Sequence, residues 1–98
     1  MEKFYIISYD LKNPGRDYAA LYSAIKSKPH WNHPLESMWI VRTNESADAL
    51  YNSLCGAIDN NDLLFVSEII ASNAQGWMPQ SFWQWITKLR NIYLCLDF

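Results

Sequence analysis

The stretch Phe4-Tyr5-Ile6-Ile7-Ser8-Tyr9-Asp10 constrains this chain more than any other. It is too short for a helix and rich in Tyr, Ile and Phe, so it predicts a strand over about residues 3 to 9. Alternation puts Phe4, Ile6 and Ser8 on one face and Tyr5, Ile7 and Tyr9 on the other. Both faces are mostly apolar. A strand of that kind belongs in the middle of a sheet covered on both sides. It ends on a carboxylate, Asp10, and the loop after it carries the turn pair Pro14-Gly15.

The 98 residues suffice for a single domain and no more. Five Trp and six Tyr are a heavy aromatic load for that size. A small monomer cannot bury them all, so some rings are expected on a surface that another chain covers. The formal charge of -2 gives no general attraction to nucleic acid. Cys55 and Cys95 form no CxxC and no disulfide framework, which fits a reduced, cytoplasmic setting. The chain enters a run of strand length directly, with no signal peptide or membrane span expected.

Asp17 is placed to cap a helix whose apolar stripe is Tyr18, Leu21, Tyr22 and Ile25, and Pro29 closes it. His30 to Pro34 reads as a loop or a very short edge strand. Glu36 to Thr43 predicts a strand. Ser46 caps a second helix with the stripe Ala47, Leu50, Tyr51, Leu54 and Ile58. After the polar turn Asp59 to Asp62, a strand runs from Leu63 to Ile70. Residues 71 to 78 are irregular. Pro79 opens a third helix with the stripe Phe82, Trp85, Ile86 and Leu89. The tail, residues 91 to 98, reads as a further strand. Alternating strands and helices predict a two-layer α/β (α+β) sandwich. A short strand at His30 to Pro34 makes the core βαββαβ, the ferredoxin-like arrangement, with an added C-terminal helix and tail strand. Its first two helices cover one sheet face. The third helix or a second protomer covers the other.

Asp10 has two readings. It is either a ligand for a hard divalent cation or the residue that starts an Asx-type turn or caps the loop before the first helix. Arg16 can bind phosphate near it through its fork of donors, or pair with Asp17 or Glu36. Tyr9 and Tyr18 can stack on a base or serve the core with the hydroxyl at its rim. His30 and His33 form an HxxH flanked by prolines with no third ligand, which favours a loop over a metal site. Ser37 has no His-Asp partners, and three Gly make no phosphate loop. Trp85 belongs to the core. Trp83 lies off the helical stripe and points toward a partner or the sheet.

Tyr9-Asp10-Leu11, the Pro-Gly loop, Arg16, the Tyr-rich helix, Ser37-Met38-Trp39-Ile40-Val41 and Asn61-Asp62-Leu63-Leu64-Phe65-Val66 together resemble the small bacterial and phage proteins often labelled SinR-like. These in turn are similar to the small ferredoxin-like subunit of the CRISPR adaptation complex and to VapD-type ribonuclease toxins. The resemblance covers about residues 1 to 70. It implies a homodimer packed sheet to sheet, with Asp10 near its own copy across the two-fold axis. There the Asp10 pair would hold Mg²⁺ or Mn²⁺. The function this implies is a nucleic-acid-related dimer that, where active, is a metal-dependent endonuclease on RNA or DNA phosphodiesters, in phage defence or a toxin-antitoxin pair. Catalysis and metal binding fall to Asp10, and substrate binding to Arg16, Tyr9 and Tyr18. The rival is a non-enzymatic dimeric adaptor that binds another protein through an aromatic surface, the reading toward which the negative charge leans.

Overall fold

The first strand, β1 (Lys3–Asp10), has a neighbour on each side, as a run apolar on both faces requires. The structure is a computed structural model that describes the backbone of residues 1–96 and the side chains of residues 1–90. In chain order the elements after β1 are α1 (Ala19–Lys26), β2 (His30–Leu35), β3 (Met38–Thr43), α2 (Ala47–Cys55), β4 (Leu63–Ile69), a short 3-10 turn (Ala71–Asn73) and α3 (Gln80–Leu96). The fold is α+β. Its four-stranded sheet has the order β2-β3-β1-β4, and every pair in it is antiparallel.

The two faces of β1 carry two separate cores. Tyr5, Ile7 and Tyr9 join Trp39 and Val41 of β3, Leu21 and Ile25 of α1, and Leu50 and Leu54 of α2. Phe4 joins Ile40 of β3 and Phe82, Ile86 and Leu89 of α3, with Ile6, Met38 and Ile69 at its margin. The third helix thus covers the second face, but only over part of its area. Arg42, opposite Phe4 in the register, is buried in this layer and pairs with Glu2 at 3.6 Å.

Local chemistry explains most element ends. Asp17 Oδ1 accepts from the Ala19 amide at 2.9 Å at the start of α1. Ser46 caps α2 by accepting from the Ala49 amide at 3.1 Å. Pro34 sits in β2 because that strand is an edge, and the β2–β3 register shifts between Asn32 and Leu35 to accommodate it.

Of the two readings of His30 to Pro34, the edge strand is the one observed, as β2. Three expectations need correction. Glu36 and Ser37 form the turn of the β2–β3 hairpin, so β3 begins at Met38. Tyr51 is 41 % exposed and does not belong to the buried face of α2, which is narrower than its apolar spacing suggested. The tail strand is absent over residues 91–96, where α3 continues. Ile92, Tyr93 and Leu96 follow Leu89 at three, four and seven residues, a helical period that extends the stripe already begun. Residues 97–98 of that tail lie outside the described residues.

The sealed first face predicts an asymmetry between two apolar substitutions. Ile7→Ala, at a position with no exposed surface, costs about 2–5 kcal/mol in urea unfolding. Tyr51→Ala, on the exposed ring, costs less than about 1 kcal/mol in the same measurement.

Candidate functional site at the end of β1

Asp10 is the last residue of β1 and stands opposite Leu63 in β4. It lies on the same sheet face as Phe4, Ile6 and Ser8, beyond the part that α3 covers. Its side chain is 60 % exposed, and Lys12 Nζ donates to Oδ2 at 2.6 Å. Around it, Ser8, Tyr9, Leu63, Leu64 and Phe65 line a shallow concavity of about 270 Å³. Leu63 and Phe65 are each well over half exposed. A carboxylate therefore stands beside apolar surface with the half-exposed ammonium of Lys12 as its partner.

The turn chemistry is carried out by a different carboxylate. Asp62 is buried, and it accepts from the Lys12 amide at 2.7 Å, the Asp59 amide at 2.8 Å and the Tyr18 hydroxyl at 2.9 Å. Asn13 Nδ2 bridges to Asp59 at 3.0 Å and to Asn61 at 2.8 Å. These bonds tie the loop after β1 to the turn before β4. These donors take the place of water around the buried carboxylate. Asp10 takes no backbone donor among the described residues, so the turn-starting reading of Asp10 does not describe its contacts.

Tyr9 is anchored on the opposite face. Its amide donates to Ser37 O at 3.0 Å, its hydroxyl donates to Glu36 O at 3.1 Å, and it accepts from Trp39 Nε1 at 2.9 Å. The hairpin turn is thereby clamped to the end of β1. Burial pushes the Tyr9 phenol above its usual value. The Trp39 hydrogen bond opposes that shift, and the neighbouring Tyr22 adds to it.

Arg16 forms an ion pair with Asp59 and donates to Ala57 O at 3.2 Å, with its guanidinium 5.3 Å from the Tyr18 ring. Its partner is neither Asp17 nor Glu36. Tyr18 is buried against Asp62. Arg16 and Tyr18 thus gather around the Asp59–Asp62 turn, Tyr9 around the hairpin turn, and neither group bonds to Asp10. His30 and His33 fall on opposite faces of β2: His30 is opposite Arg42, while His33 stacks on Trp39 at 3.8 Å and 7°. No group of three or more His, Cys, Asp or Glu is assembled among the described residues.

Sequence reasoning missed Lys12, Asn13 and Asp62. Asp62 was visible only as part of a polar turn. The signal that could have found it was its place just before the strand that pairs with Asp10.

A scan against protein-family models, a search of curated proteins and a search of solved structures each returned no match. Among the described residues no helix is long and apolar enough to cross a membrane.

Removing the Asp62 carboxylate leaves several buried donors unmet. Asp62→Ala is expected to cost about 3 kcal/mol in urea unfolding, and limited proteolysis should then cut within residues 11 to 17. For Tyr9 the folded-state pKa exceeds the unfolded one. The stability it contributes is full below about pH 10 and is lost as pH rises through the raised value. Tyr9→Phe should lower stability at neutral pH by about 1–3 kcal/mol and flatten the alkaline decline seen by thermal melting in the parent protein.

Proposed function

We propose that this chain acts as a homodimer on nucleic acid, cleaving phosphodiesters at a divalent-metal centre completed by Asp10 of both copies. The observation that carries this reading is the state of Asp10: exposed, beside apolar Leu63 and Phe65 on an uncovered sheet face, and not occupied in a turn. The order β1-α1-β2-β3-α2-β4 and the sheet order β2-β3-β1-β4 support a ferredoxin-like core for each copy. One carboxylate per chain cannot by itself make a site, so the second comes from the partner copy. Carboxylate oxygens suit Mg²⁺ or Mn²⁺, which keep several waters and accept few protein ligands. A cation so held supplies Lewis acidity toward the phosphate and a more acidic water. The protein's own part is to fix the two carboxylates on rigid strand ends. Lys12, released from Asp10, then meets the phosphate charge. Arg16 joins the substrate only by leaving Asp59, and Tyr9 stays a phenol that orients the strand end. The setting that fits is cytoplasmic, in phage defence or a toxin-antitoxin pair.

A second reading has its own support. Trp77 is fully exposed beside an apolar groove, as a non-enzymatic adaptor that binds protein would require.

Labelled RNA and DNA incubated with the protein, with and without Mn²⁺, separate the two. Cleavage that depends on metal and falls about 100-fold or more in Asp10→Asn, with the melting temperature unchanged, supports the nuclease. Cleavage that survives the substitution belongs to a contaminant. Absence of both binding and cleavage at low salt leaves the adaptor.

A further inference from the structure

We infer that Trp77 of each copy seats in the apolar groove beside α3 of the other. The inference rests on the dimer proposed above and supplies the contact that joins it. The groove has a volume of about 560 Å³ and lies between the second sheet face, α3 and residues 70–78. Ile6, Met38 and Ile40 form its floor, and Phe82 and Ile86 form a wall. Among the described residues its lining contains no Asp, Glu, Lys, Arg or His, so filling it strands none of their charges. Gly76 and Met78 lie on its rim, and between them Trp77 is 102 % exposed. The ring does not line the groove of its own copy and is left wholly in solvent next to it in the chain.

A projecting ring and a matching hollow on one patch make that patch self-complementary. This is what a two-fold interface demands, because each surface must meet its own copy. The surroundings are apolar as well. Leu35, Leu63, Phe65 and Ile70 are each at least half exposed, and they lie on this face or at its edge. Together with Trp77 they expose at most on the order of 700 Å² of side chain to such a contact, a large part of the ~800 Å² per partner of a stable interface. The same face carries Asp10, so closure through it brings the two Asp10 strand ends onto the shared side.

Light scattering after size exclusion, run over a concentration series, tests this. The parent protein should be a dimer. Trp77→Ser should raise the dimer dissociation constant at least ~30-fold with an unchanged circular dichroism spectrum, since the ring touches no core. Met38→Glu, which puts a charge into the groove while Trp77 remains, should do the same. Asp10→Asn should stay dimeric, which separates this contact from the metal site. A dimer untouched by both Trp77→Ser and Met38→Glu overturns the seating and leaves the Asp10 reading standing. A parent protein that is monomeric at every concentration overturns the seating and the shared site together.

Discussion

The two-sided burial of β1 is the constraint on which the rest depends. An inner strand with Tyr5, Ile7 and Tyr9 on one face and Phe4 and Ile6 on the other needs two covers. The first is complete: α1 and α2 seal it with Leu21, Ile25, Leu50 and Leu54, all with no exposed surface. The second is not. α3 closes over Phe4 and Ile40, and the sheet beyond it keeps Leu63 and Phe65 in water. One stable face thus holds the fold, and the other is free to vary in what it meets.

Asp10 and Asp62 divide the roles that one carboxylate could have filled. Both stand near where the loop after β1 meets the start of β4, and their surroundings differ. Asp62 is buried and saturated by amide and hydroxyl donors, so its charge is spent on loop geometry. Asp10 is exposed, and its carboxylate's one hydrogen-bond partner among the described residues is the half-exposed ammonium of Lys12. A salt bridge between exposed groups of this kind contributes little stability. The loop is thus tied down through Asn13 and Asp62 rather than through Asp10.

Much of the fold was legible in the sequence because burial imposes a period. The alternation of β1 and the stripes Leu21–Ile25, Leu50–Leu54 and Phe82–Ile86–Leu89 all point where the structure puts them. What was not legible came from long-range pairing. Asp62 lies fifty residues from the Lys12 amide it accepts from, and no local pattern announces that bond. Arg16 meets Asp59 for the same reason. The tail misled because a short apolar run reads equally as strand or helix. Its continuation of the α3 period was the deciding feature. His30 to Leu35 is a strand despite Pro34, because an edge strand tolerates a missing amide on its open side.

In the proposed dimer, charge sets the order of events. Two Asp10 carboxylates brought together beside Leu63 and Phe65 repel more strongly than in open water, because the apolar rim lowers the local dielectric. Lys12 answers this within each copy, since its ammonium already sits on Asp10 at 2.6 Å. The pair can therefore close on its apolar contacts first, with each carboxylate neutralised by its own lysine. The two Asp10 carboxylates would be the residues to hold a divalent cation there, and each Lys12, freed from its carboxylate, would be available to a phosphate. Binding energy from such a metal would add to that of the interface, because the cation would prefer the state in which both carboxylates are present. Dimer contact and metal affinity are on this account one linked equilibrium, with the Trp77 groove setting one end of it and Asp10 the other.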